Sequence, residues 1–272
     1  MDHDPRPGSA EWSEADLADL AAAVERLEHP GFVARLSDLV GMPIEAALRA
    51  LPAGAGAIVT RAVHVSLRSA LDVAVRTIDG GGRRRPRFGG HALAAGLAGG
   101  VGGAFGLPAL ALELPVTTTI ILRSIAEIAR SEGEDLADPA ARLACLEVFA
   151  MGSASDEDDA AESGYFAVRA ALARAVSEAA KYVASKAVVE DGAPVLVRLL
   201  AQIAARFNVV VGEKIMAQGV PIVGAVGGAA VNLMFIDHFQ DMAQGHFAVR
   251  RLERRYGRDE VRRRYEELAR SG

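Results

Sequence analysis

The chain has 272 residues, 51% of them hydrophobic but only 5% aromatic, so alanine, valine and leucine must supply most of the core packing. A formal net charge of −5 argues against nucleic acid as a partner, because the field of the whole molecule repels phosphate. The single cysteine, Cys145, excludes an internal disulfide framework and fits a reducing cytoplasm, and the polar N-terminus lacks the apolar core of a secretory signal.

Apolar residues at helical spacing predict an all-α fold, a multi-helix globular bundle, and no stretch alternates as a strand would. Residues 1–12 are predicted to be a disordered lead and residues 13–272 a single domain. Ser13 and Asp16 form a capping pattern for a first helix that runs to about Glu28. Further helices are predicted over 32–40, 44–51, 57–78, 139–149, 165–189 and 194–207.

Charge patterns mark two other parts of the chain. Residues 247–270 are rich in arginine and glutamate at helical spacing, which predicts a solvated, ion-paired helix broken at Gly257. A basic cluster directly before an apolar stretch comprises Arg83, Arg84, Arg85 and Arg87. On the cytoplasmic side of a membrane such a cluster attracts anionic lipid headgroups, at roughly 1 kcal/mol per residue. The alternative is a solvated loop whose charge keeps the protein soluble.

Two charge-free stretches rich in glycine and alanine, 92–112 and 215–236, are predicted to be central apolar helices. Small residues four positions apart lie on one helix face and allow close helix contact: Gly96, Gly99, Gly100, Gly102, Gly103, Gly106, Gly224 and Gly228. Pro108 and Pro115 are expected to break or kink the first stretch. Three interpretations stay open, namely a hairpin that inserts reversibly into a membrane, a tightly packed soluble core, and a constitutive span.

Polar residues at the edges of these stretches are candidates for a functional cluster: Glu113, Arg123, Glu127, Asn232, His238 and Asp241. A carboxylate in an apolar setting needs a raised pKa or a partner, and Arg123 is the partner we expect for Glu113. His238 stacks over Asp241 on a helix, which suits a metal ligand set or, more simply, a hydrogen-bonded helix face. Thr117, Thr118 and Thr119 are expected to bond back to helix carbonyls.

Motifs of catalysis and cofactor binding are missing from the sequence. It has no GxSxG elbow, and the glycine-rich run is not followed by the Lys-Ser/Thr of a phosphate-binding loop. No second cluster of histidine or cysteine completes a metal site with His238, and the acidic run 156–159 is expected to be a solvated loop or a helix cap. We therefore expect a protein that is not an enzyme and that holds no cofactor and no metal.

Four runs of residues, 102–115, 122–129, 220–232 and 237–243, resemble the EcsC family, and the resemblance spans roughly residues 55–265. The positions that match its motifs are Gly102, Gly103, Gly106, Pro108, Glu113, Pro115, Arg123, Glu127, Pro221, Gly224, Gly228, Asn232, His238 and Asp241. The resemblance implies a bacterial family, mostly uncharacterised, without established catalytic residues. It also implies a relation to a founding member encoded beside an ABC transporter implicated in secretion.

These observations predict a cytoplasmic protein that associates peripherally or reversibly with the inner membrane and assists transport or an envelope process. Its partners would be membrane lipid or a membrane protein, an ABC transporter being one candidate, and the sequence does not indicate an oligomeric state. One alternative is an enzyme or a small-ligand or lipid-binding protein with an interior polar site. Another is a soluble interaction scaffold, in which the two glycine-rich stretches pack against each other.

Overall fold

In the computed structural model, the described residues are 11–40, 55–76, 107–152, 164–186, 189–190, 192–219 and 224–271. They form nine α-helices and a 3₁₀ turn, Val148–Ala150, and this part of the chain contains no strand. The predicted all-α fold is therefore confirmed. The helices are α1 Glu14–Glu28, α2 Phe32–Val40, α3 Ala55–Arg76, α4 Leu107–Ser131, α5 Pro139–Glu147, α6 Gly164–Ser185, α7 Pro194–Gly219, α8 Gly224–Tyr256 and α9 Arg258–Ser271.

Local signals set several of the helix ends. The Ser13 hydroxyl accepts a hydrogen bond from the backbone N–H of Asp16 at 3.1 Å and so caps α1. The Asp138 carboxylate caps α5 in the same way, with proline as the first helical residue. Gly257 has a φ of 89°, a conformation that L side chains rarely adopt, and it separates α8 from α9. All three boundaries agree with the sequence prediction.

The sequence predicts one helix over 194–207 and a second over 215–236, and both boundaries between them are wrong. Helix α7 runs on past Phe207 to Gly219, and α8 begins at Gly224, so the second apolar stretch contributes to two helices. The reason is that Val210, Val211 and Ile215 continue the buried side of α7, and tertiary burial outweighs the glycine at position 212.

Two prolines do not interrupt α4. Pro108 is its second residue, where a missing N–H costs nothing, and the helix continues through Pro115. The Thr119 hydroxyl donates a hydrogen bond to the Pro115 carbonyl at 2.8 Å, as the sequence predicted for this threonine. Thr117 and Thr118 are fully buried, and their hydroxyls have no hydrogen-bond partner within the described residues, so for them the prediction fails.

Helices α3, α4, α7 and α8 surround the main core, with α3 against α4 and α7, and α8 against α4 and α7. Four phenylalanine rings lie at its centre with centroids 5.1 to 6.1 Å apart: Phe149, Phe207, Phe235 and Phe239. Such edge and tilted contacts add to the apolar burial of each ring. Cys145 is also fully buried, as predicted, and burial raises the pKa of its thiol to about 12.

The direction of the four helices follows from contacts between them. Arg142 lies in α5, which follows α4 after the short connection 132–138, and it donates to the carbonyl of Val75 at the end of α3. The ends of α3 and α4 are therefore at the same end of the bundle, and the two helices run parallel. Gln240 donates to Ser124 and Arg250 to Glu134, so α8 runs parallel to α4. The end of α7 contacts the beginning of α4 through an ion pair described below. Helices α3, α4 and α8 therefore begin, and α7 ends, at one end of the bundle.

The C-terminal tail is less solvated than predicted. It is ion-paired, but Phe247, Tyr256 and Tyr265 are fully buried because α8 and α9 pack against α1. The ring of Trp12 stacks on Tyr256 with centroids 4.0 Å apart, so the last residue of the predicted disordered lead is packed. The first ten residues of that lead lie outside the described part of the chain, as does the predicted helix 44–51.

Candidate functional site

A buried ion pair joins the beginning of α4 to the end of α7. Lys214 is 0% exposed, its Nζ lies 2.8 Å from Oε1 of Glu113, and it sits 4.6 Å above the centre of the Phe235 ring. Burial lowers the pKa of Lys214, and the charge of Glu113 opposes that change. The carboxylate and the aromatic face together compensate the ammonium group for the water it has lost.

The expected pairing of Glu113 with Arg123 is wrong. Arg123 points to solvent on the outer side of α4, and Lys214 takes its place. The sequence signal that would have found this partner is the position of Lys214, a cation within the apolar run that ends α7. Asn232 is fully buried one helical turn before Phe235, on the same side of α8.

His238 and Asp241 belong to a different place. They line a cavity of about 320 Å³ between the end of α1, the beginning of α2 and the middle of α8. Its walls are Glu25, Arg26, His29, Pro30, Gly31, Arg35, His238, Asp241 and Met242. Glu113, Arg123, Glu127 and Asn232 are not among them, so the six predicted residues do not form one site.

The electrostatics of this cavity keep its histidine neutral. His238 is 1% exposed, and burial, together with the charge of Arg35, lowers its pKa to about 3. Burial raises the pKa of Asp241. The charge of Arg35 opposes this increase, since Nη2 of Arg35 lies 3.9 Å from Oδ2 of Asp241. The backbone of Gly152 packs against the His238 ring, since a Cβ there would lie 2.5 Å from Cε1.

A second polar centre, which the sequence does not indicate, lies beside the C-terminal third of α8. Arg169 forms two hydrogen bonds to Glu253, at 2.7 and 3.0 Å, and also donates to the hydroxyl of Tyr165. That hydroxyl lies 3.0 Å from Nδ1 of His246. Glu147 is buried beside these groups, and burial raises its pKa to about 7 although Arg169 opposes the change.

The end of the bundle where α4 and α8 finish carries a network of ion pairs. Arg250 binds both oxygens of Glu134, which also contacts Arg254. Arg251 bridges Glu132, Asp19 and Asp16. Because these pairs connect α1, α8 and the loop after α4, they hold the ends of three elements together. We call this the ionic end.

The opposite end exposes apolar side chains. Within the described residues, five of the seven exposed large hydrophobic side chains lie in the halves of the helices nearest the end where α3, α4 and α8 begin: Ile58, Val65, Val116, Val209 and Leu233. Val65 is 50% exposed and Val116 52%. We call this the apolar end. Exposed aliphatic groups on neighbouring helices are a feature of interaction surfaces.

One helix in the described part of the chain is long and apolar enough to cross a membrane. It is α7, over Pro194–Ala217, and its mean hydropathy is 1.6. Of the residues in its most apolar 18-residue segment, 44% are buried. The core helix of a soluble protein can have the same length and hydropathy, so these two properties give only weak support for membrane contact. The sequence predicts this property for the stretches 92–112 and 215–236, of which residues 92–106 and 220–223 lie outside the described part of the chain.

Most of the glycines predicted to make close helix contacts lie outside the described part of the chain. Gly96, Gly99, Gly100, Gly102, Gly103 and Gly106 lie outside the described residues, as do Arg83, Arg84, Arg85, Arg87 and the acidic run 156–159. Gly228 is buried in the first turns of α8, the helix that Gly224 begins. Within the described ranges, no group of three or more histidine, cysteine or acidic residues is arranged to hold a metal ion.

The sequence profile of the EcsC protein family matches residues 34–252, which is most of the chain. Neither the curated proteins nor the solved structures contain a match.

Proposed function

This chain belongs to the EcsC protein family, and on that premise we propose that it is a non-enzymatic cytoplasmic protein that associates peripherally with the inner membrane. The observation that carries the proposal is the contrast between the two ends of the bundle. The apolar end exposes Ile58, Val65 and Val116, whereas the ionic end joins its charges into a network. A molecule with this asymmetry can place one end in the interfacial region of a bilayer and keep the other in water.

Peripheral association fits α7 better than a permanent span. The helix carries Glu213 and Lys214 near its end, and Lys214 is held in the core by Glu113. Moving that pair into lipid would separate two charges that stabilise each other, at a cost of several kcal/mol. We infer that α7 stays in the bundle and contributes its outward residues, such as Val209, to the membrane contact.

The membrane process itself is inferred from the family resemblance. A founding member encoded beside an ABC transporter supports a role as an accessory to transport or to envelope function. In that role the partner is a membrane protein, and the lipid contact brings the chain to the surface where the partner lies. The soluble scaffold alternative depends on the stretch 92–106, which lies outside the described residues.

A second candidate function, the binding of a small ligand, is favoured by the cavity beside His238. Its volume of about 320 Å³ lies at the lower limit for small-molecule sites. Neutral His238 and the half-buried Asp241 offer one group that donates or accepts hydrogen bonds and one acid. An enzyme that uses Glu113, Arg123 and Asn232 around the same cavity has no support, because these residues lie elsewhere.

Vesicle flotation tests the membrane proposal. We expect the wild-type protein to float with vesicles and the double variant Val65→Asp, Val116→Asp to lose roughly 100-fold in partition, at about 1.5 kcal/mol for each valine. The matched control is Val197→Asp, because Val197 is similarly exposed but lies near the start of α7, away from the apolar end. A wild-type protein that stays in the soluble fraction at every salt concentration contradicts the proposal.

A further inference from the structure

The outer side of α3 combines apolar and cationic residues. Ile58, Arg61, Val65 and Arg68 follow one another at intervals of three or four positions, and all four are exposed. This spacing places them on one stripe of the helix. The opposite side of α3 is buried in the core, as Leu67 illustrates. The helix is therefore amphipathic, with arginines at the boundary of its exposed apolar residues.

Helix α4 extends this surface. Val116 and Arg123, seven positions apart on its outer side, are both exposed. Because α4 packs beside α3 and runs parallel to it, the two rows begin at the same end of the bundle. We call this surface the α3–α4 face, and it consists of Ile58, Arg61, Val65, Arg68, Val116 and Arg123.

The α3–α4 face contains three arginines and no acid. Within the described residues Arg61, Arg68 and Arg123 form no ion pair, whereas Arg250 and Arg251 at the ionic end both contact acids. The nearest acids along the two helices are Asp72 and Glu127, four positions after Arg68 and Arg123. Asp72 pairs with Arg76, and Glu113, the other acid of α4, is buried against Lys214. The face is thus cationic on a protein whose formal net charge is −5.

We propose that the α3–α4 face binds the surface of a bilayer that contains anionic phospholipid. The guanidinium groups of Arg61, Arg68 and Arg123 contact headgroup phosphates, for which their planar donor geometry is well suited. The aliphatic side chains between them enter the interfacial region. This inference rests on the proposed membrane association and adds the lipid chemistry that the face recognises.

The test compares partition onto two kinds of vesicle, phosphatidylcholine alone and phosphatidylcholine mixed with phosphatidylglycerol. The test variant carries Arg61→Gln, Arg68→Gln and Arg123→Gln. The matched control carries Lys186→Gln, Arg258→Gln and Arg270→Gln, three exposed cations elsewhere that form no ion pair in the described ranges. A third variant replaces Arg83, Arg84, Arg85 and Arg87 with glutamine. Far-UV circular dichroism checks that each variant is folded.

We expect the wild-type protein to prefer the anionic vesicles and the test variant to lose that preference, on the order of 100-fold for three arginines. The control should retain it, and inorganic phosphate at matched ionic strength should not release the protein. The inference is overturned if the test variant binds anionic vesicles as well as wild type, if the control loses as much, or if only the third variant loses binding. Release by inorganic phosphate also overturns it, in favour of a free-anion site.

The binding of the wild-type protein to the two kinds of vesicle distinguishes this inference from the proposed membrane association on which it rests. Equal binding of the wild-type protein to both kinds of vesicle supports membrane association and overturns the choice of lipid. Binding to neither kind overturns both.

Discussion

Lys214 is the residue whose environment is hardest to anticipate from sequence. Its partner Glu113 lies 101 positions away, and the two come together only because α4 and α7 both pack against α3 and α8. Arg123, the predicted partner, is ten positions from Glu113 on the same helix, a rise of about 15 Å that no ion pair spans. Helical geometry alone therefore excludes Arg123, but it does not identify Lys214. By contrast, the caps at Ser13 and Asp138 depend on neighbours two or three positions away and were predicted correctly.

The buried pair makes a prediction about stability. Lys214→Met leaves Glu113 buried without its partner and should lower the free energy of unfolding by about 3 kcal/mol. Adding Glu113→Leu removes the isolated charge, so the double variant should return to within about 1 kcal/mol of wild type. Urea unfolding of the two single variants and the double variant measures the coupling. Strictly additive losses in the double variant would show that the two groups do not stabilise each other.

Arg123→Met provides the matched control for this cycle. The side chain is exposed and has no ion pair within the described residues, so its loss should change the free energy of unfolding by less than about 0.5 kcal/mol. A loss as large as that of Lys214→Met would restore Arg123 as the structural partner of Glu113.

At the scale of whole helices, close contact depends on glycines that spacing rules did not select. Gly245 lies where α8 crosses α1, and a Cβ at this position would lie 2.7 Å from Cγ of Leu27. It has no small residue four positions away that would mark it in the sequence. Gly212 lies in the interior of α7, and a Cβ there would have no neighbouring atom within 4 Å, so this position is free of such a constraint.

These two glycines should respond in opposite ways to the same substitution. Gly212→Ala gains helix propensity and should raise the free energy of unfolding by about 1 kcal/mol. Gly245→Ala gains the same propensity but forces Leu27 away from its packed position, so its net effect should be destabilising by about 1 kcal/mol. Thermal and urea unfolding of both variants gives the comparison. Equal stabilisation by both substitutions would mean that α1 and α8 separate easily.

The length of α7 was underestimated for a physical reason. The sequence pattern predicts that the helix ends near Phe207, because the stretch 215–236 has the composition of a separate apolar helix. In the fold, the same apolar residues serve as the buried side of one continuous helix, with Val210 and Val211 against the core. Hydrophobic periodicity identifies a helix but does not reveal which neighbouring helix will cover it, and burial by neighbours fixes where it stops.

The arrangement of the whole molecule into an apolar end and an ionic end was not predictable from periodicity. It depends on the relative directions of α3, α4, α7 and α8, which contacts such as Arg142 to Val75 establish. The sequence predicted an ion-paired C-terminal tail, but the acids that pair with Arg250 and Arg251 come from α1 and from the loop after α4. Arg250 is 116 positions from Glu134, and Arg251 is 235 positions from Asp16, so helix spacing rules, which apply over three or four positions, do not reveal these pairs.

The buried carboxyl of Glu147 gives the molecule a pH dependence. Burial raises its pKa from 4.5 to about 7, so the folded state retains a proton that the unfolded state releases. The stability contributed by this group is full below about pH 4.5 and is lost as the pH rises to about 7.

Glu147→Gln removes this titration while keeping a similar shape. The free energy of unfolding of the variant, relative to wild type, should increase by up to about 1.4 kcal/mol per pH unit between about pH 5 and about pH 7. Urea midpoints at several pH values measure the difference, and subtraction from wild type removes the contribution of groups such as His238. A difference that stays constant with pH would mean that Glu147 titrates alike in both states.

Helix α8 has 33 residues and runs without interruption from the apolar end to the ionic end. At 1.5 Å per residue it is a rod of about 50 Å, and tilting it by about 5° around its midpoint moves each tip by about 2 Å. That displacement is larger than the range of about 0.5 Å within which a hydrogen bond stays well formed, so it would break the bonds between Arg251 and its acids. Because α8 is one continuous helix, a contact at Leu233 that tilted it would also displace Arg251 and change the packing of α8 against α1.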